Sequence, residues 1–338
     1  MTEQFDKRPR EADWLPAILC FGEALIDLHA ESMDDHGFAT RFVPFAGGAP
    51  ANVAVATARL GGAARFAGML SQDRFGDFLF DSLQRAGVGT DDVARTDEAN
   101  TALAFITLDA RGERSFNFYR GPSADLLFEP AHFRETTFND LAVFHVCSNS
   151  MTDAALAATT REGMRRAQRA GALVSFDLNL RPALWSHDSD PRARVWPALH
   201  LADVVKLSAE EFAWLATDGK KVALDRLWAG RTRLLVVTDG AGPLRWFHPD
   251  AEGELPSYCV ATVDSTAAGD AFVGGFLCQL AEQRIDANDI DTLVGTVPRL
   301  HAMLRYAAAC GALAVTRHGS FAAMPDDDEV RTFMEAQA

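Results

Sequence analysis

Six apolar runs of strand length, at 17–21, 64–69, 142–147, 172–177, 202–206 and 233–238, are separated by helical stretches such as 75–86, 153–170, 191–201 and 222–229. Strand and helix taking turns predicts a parallel sheet, because each return crossover lays a helix on one sheet face or the other. In sheets of that kind ligands bind beyond the carboxyl ends of the strands, where Asp27, Asp177, Lys206 and Thr238 fall in this reading. A length of 338 residues allows one large domain with an appendage or two ordinary domains, and 48% hydrophobic residues suffice for a core.

Two segments break the rhythm. Residues 28–45, and 101–119 with alternation in Phe105, Thr107, Ser115, Asn117 and Tyr119, read as half-buried antiparallel strands, the second pair separated by a turn at 109–112. They need a partner surface; a plain edge extension of the main sheet is the other reading. The polar residues 1–16 are expected to be flexible at least in part.

Several classes of function are disfavoured by composition. A formal charge of −15 argues against a nucleic-acid or anionic-membrane partner, either of which calls for concentrated positive charge. No run resembles a membrane span or a secretion signal, so a soluble chain is expected. Cys20, Cys147, Cys259, Cys278 and Cys310 are spread without C-x-x-C spacing, which predicts neither a zinc site nor a disulfide framework and points to a reducing cytoplasm.

Chemistry concentrates in two places. Residues 263–274, Val-Asp-Ser-Thr-Ala-Ala-Gly-Asp-Ala-Phe-Val-Gly, set a small-residue turn against a helix whose stripe is Phe272, Phe276 and Leu280, widened by Val273 and Leu277. Gly269 and Asp270 fall in its first turn, where outward N–H groups and the positive end of the dipole suit an anion such as a nucleotide's terminal phosphates. Asp270 is placed there to take a proton from a hydroxyl attacking that phosphate, or is simply a helix cap. The second place is Gly47-Gly48-Ala49-Pro50-Ala51-Asn52-Val53-Ala54, leading into a helix that ends at Leu60-Gly61-Gly62. Paired glycines let backbone approach a ligand and Asn52 offers a donor and acceptors to a polyol; an ordinary loop with Pro50 near a helix start is the alternative. A dinucleotide site is excluded, since there is no G-x-G-x-x-G and no strand plainly leads into the segment.

Together these motifs resemble the two signatures of the PfkB (ribokinase-like) family of carbohydrate and nucleoside kinases. The likeness runs from Ile18 to about Pro325 and is most specific to the family's fructokinases, through stretches beginning at Phe21, Thr101, Gly112, Tyr119, Asp177, Leu184 and Lys206. It implies a ribokinase-like three-layer α/β/α domain with a mostly parallel central sheet and a small β-sheet lid over the sugar. The core would be 16–28, 46–100 and 121–330, the lid 29–45 and 101–120, with a homodimer formed through the lid and 1–15 flexible.

The same resemblance implies an ATP-dependent kinase that phosphorylates the primary hydroxyl of a neutral sugar, foremost D-fructose to fructose 6-phosphate. Asp270 would be the base, Ala267, Ala268 and Gly269 would supply N–H groups to the developing charge, and Arg181 would stand near the reacting groups. Asp27, Gly47, Gly48, Asn52 and Asn179 would hold the sugar, with Arg114 and Phe116 covering it from the lid. Lys206, Ser208, Thr238, Gly240, Gly242, Thr266 and Gly269 fall on the nucleotide side. Mg²⁺ is expected, with Glu211 reaching it through water, and a loop at 317–321 near the adenine leaves room for a monovalent cation.

Two departures stand out: Ala267 replaces a family glycine, and Pro243 replaces the last glycine of a T-x-G-x-x-G element. If position 267 has φ > 0, alanine there costs of order 1 kcal/mol. Ala49 stands where sugar-phosphate kinases of the family carry Lys, which favours an unphosphorylated sugar. 2-Keto-3-deoxygluconate and ribosides are the alternatives within this chemistry. From a different class, a sugar-binding regulatory protein that has lost transfer is the other reading.

Overall fold

The computed structural model describes residues 16–34, 38–108, 114–186 and 189–337. In chain order its strands are β1 (Ala17–Phe21), β2 (Leu25–Met33), β3 (Ala39–Gly47), β4 (Ala64–Ser71), β5 (Gly89–Thr96), β6 (Leu103–Leu108), β7 (Arg114–Tyr119), β8 (Leu141–Cys147), β9 (Leu173–Asp177), β10 (Val204–Ser208), β11 (Leu234–Thr238), β12 (Leu244–His248) and β13 (Ala251–Leu255). The helices are α1 (Ala49–Arg59), α2 (Arg74–Arg85), α3 (Ala154–Arg169), α4 (Pro191–Leu199), α5 (Ala209–Leu215), α6 (Lys220–Trp228), α7 (Ala268–Glu282), α8 (Ile290–Gly295), α9 (Val297–Ala314) and α10 (Asp327–Ala336).

Nine strands form the main sheet in the order β13-β12-β11-β10-β9-β8-β1-β4-β5. All neighbours from β5 to β11 are parallel, and only the β11-β12 and β12-β13 pairs run antiparallel. Each central strand is apolar on both sides because both faces are covered. Ile18, Val143, Leu173, Val204 and Val236 join the core under α1, α7 and α9. Their neighbours Leu19, Phe144, Val174, Val205 and Val237 join the opposite core, under α3 and α4. The six strands read from sequence are all present; β5 and the β12-β13 hairpin are additional to them. Since β4 and β8 flank β1 on opposite sides, the strand order reverses there and opens a crevice at the carboxyl ends.

A separate sheet has the order β3-β2-β6-β7. The two irregular segments each fold into an antiparallel hairpin, β2-β3 and β6-β7, and a parallel β2-β6 pairing joins them. The turn expected at 109–112 and the N-terminal segment 1–15 lie outside the described residues. Two corrections arise here. Asp27 is not beyond the carboxyl end of β1 but within β2, because Gly22, at φ 148°, breaks the chain out of the main sheet and carries it into the small one. A strand does lead into the Gly47–Gly48 segment: β3 runs through Pro44 to Gly47. As an edge strand, β3 accommodates a proline that has no N–H to give.

Helix α7 is pinned between two others. A Cβ at Gly274 would lie 2.5 Å from Ala56 Cβ on α1, and one at Gly275 would lie 2.7 Å from Cys310 Sγ on α9. Two glycines inside a helix weaken it by roughly 0.5–1 kcal/mol each, which this close packing on both sides offsets. The result is a fixed aim for its N-terminus, at the crevice. Among the described residues no helix is long and apolar enough to cross a membrane.

Candidate active site

A cavity of about 1100 Å³ lies between the carboxyl edge of the main sheet and the inner face of the small sheet. Eight of the residues singled out in the sequence line it: Asp27, Gly48, Asn52, Asn179, Arg181, Thr266, Ala267 and Asp270. They come from four separate stretches of chain, which is why no single local motif announces the cavity.

At its floor α7 begins. Its first turn is capped by Ala267, in the left-handed region at φ 59° and ψ 11°, so the positive φ that a glycine would relieve is present. Ahead of it the fully buried Asp264 accepts from Thr266 N (2.7 Å) and Gly319 N (3.2 Å), which ties the turn to the loop before α10. Asp270 is buried in the first turn and its Oδ2 accepts from Asn52 Nδ2 at 2.7 Å. Asn52 therefore spends its donor on Asp270, and its Oδ1, with no partner among the described residues, remains for a hydroxyl. Burial raises the pKa of Asp270, with Asn52, Arg181 and Lys206 acting against the rise. A carboxylate so raised is a better proton acceptor than a free one.

Asp27 faces the cavity from β2. Burial pushes its pKa up to about 7, against the hydrogen bond from Ser320 Oγ (3.1 Å). Gly47 does not line the cavity; any side chain there would collide with the Asp27 carboxylate, so this glycine makes room for a site residue. Gly48, at φ 104°, turns the chain into α1, and a Cβ there would run into the backbone of Glu23. Arg181 is exposed at the rim, where its charge lowers the pKa of both Asp27 and Asp270. Asn179 sits beside it with φ 37°. Arg114 and Phe116 lie on β7, but their side chains are outside those described; Phe118 of the same strand lines the cavity.

The remaining candidates form a second group along β10 and β11. Lys206, in the middle of β10, is not an exposed strand end. Its Nζ bonds Asp177 Oδ2 at 3.1 Å, and a Cβ at Gly269 would come within 2.9 Å of it, so the ammonium rests against the first turn of α7. Burial lowers its pKa, but Asp177, Glu211 and Asp270 outweigh that and the net shift is upward, keeping the charge. Thr238 ends β11, and Gly240 (φ 53°) and Gly242 form the turn that follows. Ser208 and Glu211 make a capping box at α5: Ser208 Oγ accepts from Glu211 N (3.1 Å), and Glu211 Oε2 accepts from Ser208 N (2.7 Å). Glu211 Oε1 takes Leu180 N at 2.7 Å, so both its oxygens are already engaged.

Sequence reading passed over one set of residues. Glu23 and Asn149 also line the cavity, and Asn149 Nδ2 donates to Glu23 Oε1 at 2.8 Å. Behind them Arg120, also buried, donates to Asn149 O (2.9 Å) and, through Nε, to Asp125 Oδ2 (2.7 Å). Buried charges of this kind persist only when paired. Glu23, Arg120 and Asp125 fall within the stretches that carry the family resemblance, but no role was read for them there, and the pair Arg120 and Asp125 reads equally well as surface.

In comparisons with known proteins, residues 16–327 match the pfkB family carbohydrate kinase. The chain is 38% identical over 316 residues to Fructokinase-2 of Oryza sativa subsp. japonica, covering 91% of this chain and 90% of the relative. A fructokinase structure from Xylella fastidiosa with bound ATP is similar at a TM-score of 0.91 and 54% identity, covering 96% of this chain and 99% of that one. One from Vibrio cholerae O395, in a fructose, ADP and calcium ion bound form, gives a TM-score of 0.81 at 31% identity, covering 94% and 99%. With that family match spanning nearly all of a chain whose glycine-rich turn and buried Asp270 converge on one crevice, the protein belongs to the pfkB family of carbohydrate kinases.

Proposed function

We propose that the chain transfers the γ-phosphoryl group of ATP to the primary hydroxyl of D-fructose, giving fructose 6-phosphate and ADP. The observation that carries this reading is the Asp270 carboxylate, held by Asn52 at the first turn of α7 in a cavity that Asp27 also lines. Asp270 takes the hydroxyl proton as the new O–P bond forms and the bond to ADP breaks. The N–H groups of Ala267, Ala268 and Gly269, with the Lys206 ammonium beside them, meet the charge spread over the transferred group. Asp27 and Asn52 Oδ1 accept from the other hydroxyls. The facing sheet, from β2, β3, β6 and β7, keeps water from the phosphate once sugar is bound.

Among the described residues no cluster of three His, Cys, Asp or Glu could grip a metal by itself. That fits Mg²⁺ carried mainly by phosphate oxygens and water, with the occupied Glu211 carboxylate reaching it through water. When bound, the ion neutralises phosphate charge. A homodimer through the small sheet is part of the proposal; Phe42, Phe105 and Tyr119 stack edge to face on it, and Tyr119 is 64% exposed. The five unpaired cysteines suit a cytoplasmic setting.

A coupled assay of ADP release over a sugar panel tests the reading. Fructose-dependent turnover is the expected result. Turnover only with 2-keto-3-deoxygluconate or a riboside would reassign the substrate, and tight sugar binding without ADP release would identify a sugar-binding regulatory protein. The same assay measures the anomalous cap: Ala267→Gly relieves backbone strain of about 1 kcal/mol. We expect a nucleotide KM several-fold lower, or a higher kcat, with stability unharmed. Reduced stability as the sole effect would show that the turn accommodates alanine comfortably.

A further inference from the structure

We infer that Ser320 is a positioning residue of the sugar site, whose hydroxyl fastens one oxygen of Asp27 so that the other is presented to the cavity. The inference rests on reading that cavity as a sugar site. Ser320 is fully buried, and its Oγ donates to Asp27 Oδ2 at 3.1 Å. Any side chain at Gly47 would run into the same oxygen, so the glycine backbone packs against it. Between them they leave Oδ1 for the substrate. Ser320 is itself held, because the preceding residue, Gly319, gives its N–H to the buried Asp264 at 3.2 Å.

Orientation is half of the effect and ionisation is the other half. A carboxylate accepts hydroxyl protons well only when charged, and burial drives Asp27 toward its neutral form, up to about 7. Asp270 on α7 and Asp264 ahead of it push the same way, while Arg181 beyond β9 opposes them. His29 on β2 and His318 beside Gly319 also face the cavity. The hydrogen bond from Ser320 is the strongest influence opposing burial. Its loss lets Asp27 keep a proton to higher pH, so the acid limb of sugar capture moves upward.

The test is fructose kinetics on the full chain as a function of pH, at saturating ATP. A hydrogen bond to a charged group contributes about 1.5–3 kcal/mol, and one pH unit corresponds to about 1.4 kcal/mol. Ser320→Ala should therefore raise the fructose KM about tenfold or more at pH 7 and shift the acid limb of kcat/KM up by about one pH unit. The limb of kcat, which reports groups in the sugar-bound enzyme, should stay in place. Ser320→Cys keeps a donor, though a larger and weaker one, and should fall between; it carries the test if the alanine variant does not fold. In an Asp27→Asn background Ser320→Ala should shift nothing further. An unmoved limb in a folded variant, or the same shift without the Asp27 carboxylate, would overturn the inference. Titration of the Asp27 carboxyl by ¹³C NMR in ligand-free chains separates this from the assignment of substrate: wild type without fructose turnover sinks the substrate, whereas equal Asp27 titration with and without the Ser320 hydroxyl sinks the positioning role.

Discussion

Asp270→Asn should lower kcat by about two to four decades, the usual span for loss of a positioned general base. Asparagine keeps the shape of the side chain and an oxygen for Asn52 Nδ2, so the first turn of α7 and its 2.7 Å hydrogen bond survive. What disappears is the site that receives the proton. Sugar affinity by calorimetry should change little, because the effect falls on the transfer step. The wild-type rate should itself fall as the pH drops through the raised pKa of Asp270. The pKa of Asp270 is raised by burial, and below it the carboxyl is protonated and cannot act as base. A variant that retained most of its turnover at saturating sugar would remove Asp270 from the mechanism.

Arg120→Met should cost about 3–5 kcal/mol of stability, the range for breaking one partner out of a buried ion pair. Arg120 is 8% exposed and its guanidinium serves Asp125 Oδ2, Asn149 O and Thr152 Oγ1. Burial lowers its pKa, but Asp125 and Glu23 outweigh that and hold it charged. Without it, among the described residues the Asp125 carboxylate keeps the hydrogen bond from Ser123 Oγ (2.6 Å). Glu23, raised by burial and restrained by Arg120, should take up a proton more readily, so the cavity floor should weaken along with the fold. Denaturant unfolding checks the first claim, and adding Asp125→Asn should recover part of the loss. If Arg120→Met unfolds within about 1 kcal/mol of wild type, the pair is not a support of this wall.

How much was legible depended on whether the signal was local. β1, β4 and β8 to β11 are apolar runs buried on both faces, and they could be read directly. β5, with Asp91 and Asp92 in its middle and solvent along one side, carries no such run. In the β12-β13 hairpin a ring does the work of a pattern: Gly253 leaves the space that Trp246 covers, a relation between strands and not along one. Strands over 28–45 were read, but Pro44 concealed that the second of them continues to Gly47, because an edge position cannot be known before the sheet is. At the site, Asp270 and the glycines were visible for the same local reasons. The hydrogen bonds from Asn52 to Asp270 and from Asn149 to Glu23 join residues 218 and 126 positions apart. Sequence spacing has nothing to say about those.

The Asn52–Asp270 hydrogen bond spans 218 positions, from the first quarter of the chain to its last. During synthesis at roughly 5–20 residues per second, Asn52 is made some 10–40 seconds before its partner. Throughout that interval the strands from β1 onward can assemble and bury their faces, yet the turn at 267–269 and the Asp270 carboxylate on which the proposed transfer depends do not exist. In the proposed reaction a ribosome-bound fragment that ends before α7 therefore lacks the base that would activate an acceptor. Among the described residues all thirteen strands precede α7, and of the α-helices only α8, α9 and α10 follow it, so in the proposed reaction the capacity to break the nucleotide arrives after the sheets that direct it to a sugar.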